Sequence, residues 1–230
     1  MLTKRHITLV SQSSLFLGVP IDTLEVLFSR SPAQVRKYNK GALIAFRGDV
    51  YDSLKIVLSG SVVAEFDNLQ GKTLKVETIE APGVLATSIL FSEQNFLPVN
   101  VRAAAETEIL SVPGSTILEL MQSNRTILVN FLQDAGDKLV ILAEKLRLLQ
   151  FTTIRQRIAA YLLGLKERED SDVLVIPYTR EVLAELFGVA RPSLSRAFSN
   201  LQNEGTLGVD GKEVVILNEG KLRDELENLE

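Results

Sequence analysis

Arginine and serine at the start of a helix can read base-pair edges, and residues 179–217 supply them in that setting. Arg191, Ser193, Ser195, Arg196 and Ser199 fall on one side of a predicted helix. Leu194, Ala197, Phe198 and Leu201 form its apolar side at helical spacing. A guanidinium pairs bidentately with guanine in the major groove, and a serine hydroxyl bonds a base or a phosphate. Arg191 and Arg196 stand five residues apart, off a single stripe but both in the groove-facing N-terminal half. The spacing predicts a DNA-reading surface. The rival is an ordinary helical hairpin with solvated arginines; the absence of acids from Arg191 to Asn203 weighs against it.

The neighbouring residues define the elements that would hold this surface. Thr179 offers a hydroxyl to an exposed backbone N–H at the start of a first helix, and Glu181 suits the positive end of its dipole. Val182, Leu183, Leu186 and Phe187 form that helix's apolar face, and Gly188 ends it. With only Val189 and Ala190 before the second helix, the two must cross steeply. Pro192 sits in the second helix's first turn, where its missing N–H costs nothing, and Gly205 closes the helix. Asp210-Gly211 between residues 206–209 and 212–217 predicts a two-stranded wing. A helix braced on the backbone with a second in the major groove is a known docking geometry.

Upstream, residues 35–112 read as short strands separated by turn residues such as Gly41, Gly48-Asp49, Gly60, Asn68, Gly71 and Pro82-Gly83, which predicts a β-sandwich or small barrel. Residues 21–28 follow Pro20 as a short helix. Beyond Pro113 the period changes: residues 117–121 fit one helix, and a long one begins near Asn124. Leu128, Leu132, Ala135, Leu139, Leu142, Leu146 and Leu149 advance alternately by four and three residues, a heptad seam roughly 33 Å long that is best buried against an identical helix. A second stripe, Phe131, Ile141 and Leu148, packs on the chain's own domain. Residues 149–153 are expected to be a hinge, 153–165 a helix carrying Arg155 and Arg157, and the acidic stretch 166–172 a solvated connection. The expected domains are 1–123, 124–150 and 151–230.

Composition narrows the function classes. A 230-residue chain, 46% hydrophobic and 23% charged, has room for two cores. No apolar run approaches a bilayer's thickness and no signal-peptide core follows residues 4–6, so a cytoplasmic location is expected. The chain has no cysteine, which excludes disulfides, zinc–thiolate sites and cysteine-ligated iron–sulfur clusters. With one histidine, no phosphate-cradling loop, and Asp49 and Asp52 read as turn residues, no catalytic constellation emerges and no enzyme is expected. The net charge of -4 is concentrated after Asn218, in Glu219, Asp224, Glu225, Glu227 and Glu230. It alone supports a second class of function, a ligand-binding module that signals to protein partners.

Taken in order, these parts resemble the Crp/Fnr superfamily of bacterial transcription regulators over essentially the whole chain. Within KGALIAFRGDVYDSLKIVLSGSV, residues Gly41, Gly48, Asp49, Leu54, Val57, Gly60 and Val62 match the family's glycine-punctuated pattern. The resemblance implies an α+β protein with an N-terminal β jelly-roll sensor domain, a long dimerisation helix and a C-terminal winged helix-turn-helix. It implies a homodimer on a palindromic operator in double-stranded DNA, with an effector and RNA polymerase as further partners. It makes Arg191 and Arg196 base readers and Thr179 and Ser193 phosphate contacts, with Ser195 and Arg180 beside them. Pro192 stands where many members carry a base-contacting glutamate. Thr87 replaces the acid of the family's Gly-Glu-Leu run, and Leu97-Pro98 replace its Arg-Ser or Arg-Thr pair. No cation lies between Gly83 and Arg102, so tight cAMP binding is not expected. The expected effector pocket is apolar: Leu85, Thr87, Ile89, Phe96, Leu97 and Pro98, with Leu90 and Phe91. The segment's wording, and RPSLSRAF, is similar to the HcpR group, which regulates hybrid-cluster-protein genes under nitrosative stress and for some members of which a haem sensor is invoked. His6, in the N-terminal tail, reads as a surface residue rather than a haem ligand.

Overall fold

The computed structural model describes residues 2–29, 31–67 and 73–227; the turn residues Asn68 and Gly71 and the tail's Glu230 lie outside them. The chain divides into two compact units, residues 1–138 and 139–230.

The first unit opens with a helix the sequence reading passed over, α1 (Lys4–Ser11). The Thr3 hydroxyl accepts the His6 N–H, and His6 Nδ1 accepts the Thr3 N–H at 3.2 Å. This is a capping box with histidine in the place usually taken by glutamate or glutamine. A 3-10 turn at Ser14–Phe16 and α2 (Ile21–Ser29) follow. The strands are β1 (Gln34–Tyr38), β2 (Leu43–Ala45), β3 (Ser53–Ser59), β4 (Ser61–Asp67), β5 (Thr73–Glu80) and β6 (Gly83–Leu85). A single-turn helix, α3 (Thr87–Leu90), leads to β7 (Asn100–Ala103) and β8 (Thr107–Pro113). They pair antiparallel in two four-stranded sheets, β1-β8-β3-β6 and β2-β7-β4-β5. Two such sheets with successive strands exchanged between them make a jelly roll. Leu54, Ile56 and Leu58 of β3 alternate into the core with Ile109, Leu110 and Val112 of β8. The Tyr51 hydroxyl, fully buried, accepts the Lys55 N–H and donates to the Leu85 carbonyl, tying β6 to β3. Asp49 accepts the Phe46 N–H at 2.8 Å, as a turn residue does.

After α4 (Gly114–Ser123), Asn124 caps α5 (Arg125–Leu148) by accepting the N–H groups of Thr126 and Ile127. Ile127 and Phe131 enter the first core, and Asn130 donates to the carbonyls of Leu15 and Leu17.

The second unit has its own core, which includes Leu148. Its elements are α6 (Ile154–Glu169), β9 (Val173–Val175), α7 (Arg180–Phe187), α8 (Arg191–Asn203), β10 (Leu207–Asp210), β11 (Glu213–Ile216) and α9 (Glu219–Glu227). Two expectations are corrected here, for residues 166–172 and for the wing. Residues 149–153, expected as a hinge, are bonded to the start of α6: Gln156, nearly fully buried, accepts from the Thr152 N–H and hydroxyl and from the Thr153 N–H, while Arg157 donates to the Phe151 carbonyl. The acidic stretch 166–172 is in good part the last turn of α6, which runs to Glu169 before Asp170 takes φ 49°. The wing has three strands, because β9 pairs with β11. The acidic tail is a packed helix: Leu222 is buried, Glu219 meets Lys166 at 2.5 Å, and Glu225 meets Arg155.

Candidate nucleic-acid interface

Local chemistry places α7 and α8 where the residue pattern predicts them. The Thr179 hydroxyl accepts the Val182 N–H at 3.3 Å, which starts α7, and Gly188 at φ 65° ends it. Leu183, Leu186 and Phe187 are buried as expected and Ala184 joins them, but Val182 is exposed. Position 182 lies on the helix flank, where the apolar stripe has already turned away from the core. In α8 the inner face is Leu194, Ala197, Phe198 and Leu201, all buried. The wing turn is shifted by one residue from the expected Asp210-Gly211. Asp210 pairs with Glu213, so Gly211-Lys212 form the loop, with Gly211 at φ 58° in the first central position.

The outward residues are not equivalent. Arg196 is exposed and its guanidinium donates to the Ser193 hydroxyl at 3.2 Å. Arg191 is also exposed, yet its Nε lies 2.9 Å from Glu181 Oε1 of α7. The stretch without acids in sequence is therefore met by a carboxylate from the preceding helix. Ser193 and Ser195 are half-buried, Thr179 is exposed, and Ser199 faces solvent. Arg180 is placed differently: its guanidinium carbon sits 4.0 Å from the centroid of the Phe198 ring, and burial pushes its pKa down. A cation stacked on an aromatic face holds α7 against α8 and leaves only part of its edge for a phosphate.

Arg155 and Arg157, expected only as helix residues, anchor this module from behind. Arg155 forks onto Glu204 with both Nη atoms and also meets Glu225, and the paired carboxylates raise its pKa. Arg157 Nη1 donates to the Phe187 carbonyl, one of the last of α7. The signal was in the sequence, in arginines on an amphipathic helix, but their partners lie 30 to 70 residues away.

Along α5 the two stripes separate as their spacing predicts. Ile127, Phe131 and Leu148 are buried and Ile141 is half-buried. Leu128, Leu132, Leu139, Leu142, Leu146 and Leu149 are exposed, Ala135 is half-buried, and Leu149 lies one residue past the helix end.

The residues expected to line an effector pocket differ in exposure. Leu85, Thr87 and Leu97 are buried, Ile89 is half-buried, and Phe96 and Pro98 face outward. Leu97 fills the core because its N–H and carbonyl bond Asp49 and Gly48 across the β2–β3 turn, which throws its neighbours to the surface. Thr87 opens α3 and donates to Asp134 of α5, while Lys138 Nζ donates to the Thr87 hydroxyl at 3.0 Å and pairs with Asp134 at 2.9 Å. Burial pushes the Asp134 carboxyl up, but its bond from Thr87 and the Lys138 ammonium outweigh this and hold it below the usual range. Lys138 is a cation the local sequence window could not show, since α5 delivers it. The residue directly after Gly83 is Val84, apolar and buried.

Among the described residues, no group of three or more His, Cys, Asp or Glu could hold a metal ion, and no helix is long and apolar enough to cross a membrane.

Comparison with known proteins assigns the two units. The Crp-like helix-turn-helix domain matches residues 156–225, and the cyclic nucleotide-binding domain matches residues 35–124. The cAMP-activated global transcriptional regulator CRP of Salmonella typhimurium is 24% identical over 204 residues, 87% of this chain and 97% of that protein. A transcriptional regulator from Thermotoga maritima is 30% identical with a TM-score of 0.51, covering 55% of this chain and 96% of the other. The catabolite activator protein of Thermus thermophilus, 23% identical, has the same fold with a TM-score of 0.53 over 93% of this chain and 98% of its own. With a jelly roll in the first unit and a helix-turn-helix in the second, the chain belongs to the Crp/Fnr superfamily and is a transcription regulator with a helix-turn-helix DNA-binding domain.

Proposed function

We propose that this protein works as a homodimer on a two-fold symmetric operator, reading bases through Arg191 and Arg196. The observation that carries this is α8, whose inner face is fully buried while both guanidiniums stand exposed at its N-terminal half. Ser193 steadies Arg196, and the Thr179 side, with Ser195, offers hydroxyls to phosphates. The exposed leucine seam of α5 supports the dimer, since six large apolar side chains along one helix face are best removed from water by a second copy. Two recognition helices about 34 Å apart would then meet successive major grooves.

The effector in this reading is not cAMP. A cyclic phosphate needs a free counter-charge in a dry site. Two cations beside the segment are engaged, Lys138 by Asp134 and Arg102 by Glu65 at 2.6 Å. The similarity to the HcpR group points to a nitrosative or redox signal. His6 is read here as a cap residue of α1 rather than a haem ligand, since its Nδ1 accepts the Thr3 N–H.

Operator selection from random duplexes, followed by binding at several salt concentrations, tests the assignment. Enrichment of one palindrome with a steep salt dependence is expected. Failure to enrich any sequence, with or without added small metabolites, would remove it. A cAMP titration showing micromolar affinity would overturn the effector statement.

A further inference from the structure

We infer that Glu181 is a specificity-determining residue, which positions Arg191 for its base without itself touching DNA. The inference rests on the proposed role of Arg191 as a base reader. Arg191 occupies the first turn of α8, where the positive end of the helix dipole disfavours a cation. Left alone, its long side chain would swing toward solvent or the nearest phosphate. Glu181, in the first turn of α7, approaches Nε at 2.9 Å; both side chains remain more than half exposed, at 56% and 61%. Anchoring at Nε leaves Nη1 and Nη2 for a bidentate pair with guanine. The carboxylate thus does two things. It holds the guanidinium in one place before DNA arrives, lowering the ordering cost of binding. It also repels phosphates, which penalises every duplex alike and leaves the correct base pair as the compensating contact. Arg196 is served differently, by the neutral Ser193 hydroxyl, so the two arginines should respond differently to the loss of Glu181.

The test measures affinity of the full-length protein for its selected operator, for that operator with each base pair replaced in turn, and for random duplex. Glu181→Gln should bind random duplex about two- to fivefold more tightly and discriminate one base pair per half-site about two- to fivefold less, the range an exposed ion pair supports. Glu181→Asp, which keeps the charge, should retain most of that discrimination. In an Arg191→Ala background, Glu181→Gln should no longer change discrimination at any position. If Glu181→Gln leaves discrimination intact while Arg191→Ala abolishes it, this inference falls and base reading by Arg191 stands. If Glu181→Gln blurs the Arg196 position equally, the positioning role is likewise overturned. If Arg191→Ala changes no base preference, the base-reading assignment fails and takes this inference with it.

Discussion

Replacing Leu139 by aspartate should convert a dimer to monomers without unfolding either unit. Leu139 is 67% exposed and belongs to neither core, so the single chain loses little when it is changed. In the proposed dimer it sits in the middle of the seam. Fully burying a leucine contributes about 1.5–3 kcal/mol, and with two-thirds of the side chain still available each copy supplies about 1–2 kcal/mol. Two-fold symmetry doubles this, so its loss should cost about 2–4 kcal/mol of association, a rise of about 30- to 700-fold in the dimer dissociation constant. Two facing carboxylates add desolvation and repulsion, making that range a lower bound. Sedimentation velocity across a dilution series reads the outcome directly. Leu139→Ala should fall between the two, and thermal unfolding of both variants should stay within about 0.5 kcal/mol of the parent at a dilution where all three are monomeric. Persistence of the Leu139→Asp dimer at the parent's concentrations would refute the seam, as would a parent that is monomeric at high micromolar concentration.

Arg191→Ala and Arg196→Ala should each cost about 1–3 kcal/mol of operator binding and relax one base preference, measured by titration against single-substituted operators. Arg155→Ala should destabilise the second unit by about 1–2 kcal/mol in denaturant unfolding, since Glu204 and Glu225 lose their shared partner and are only partly solvated. Asp134 is held below the ordinary carboxylate value of 3.8, against the burial that pushes it up, so its stabilisation is complete above about pH 4 and is lost as pH falls through the lower folded value. Asp134→Asn should therefore cost about 1 kcal/mol at neutral pH and flatten the acid limb of the stability curve, read by unfolding at stepped pH.

Local chemistry was legible in the sequence wherever the deciding partners lay close along the chain. The Thr179 cap, the Gly188 stop, the inner face of α8 and the two stripes of α5 all follow from residues within a few turns of one another. Features decided by distant partners were not. β9 is only three residues long and exists because β11 offers it an edge. The tail after Asn218 shows only its acidic charge in the sequence, whereas Arg155 and Lys166 of α6 pair its glutamates. The residues expected to line an effector pocket differ in exposure for a related reason. Apolar residues in one window were taken to share a surface, whereas alternation along an extended segment sends Leu97 inward and Phe96 and Pro98 outward. The placement of Lys138 at Thr87 and of Glu181 at Arg191 required the fold, because each pair joins two separate elements.

The stitching around Gln156 has a mechanical consequence. Arg147 of α5 bonds Glu144 on its own helix and reaches the Ala160 carbonyl of α6, and Leu148 is sealed into the same core as α7 and α8. The last turns of α5 and the helix-turn-helix therefore share one core. In a paired molecule, a small turn of one lower helix against its twin would be delivered undiminished to the arginine tips. In the proposed dimer, groove spacing would then follow seam register.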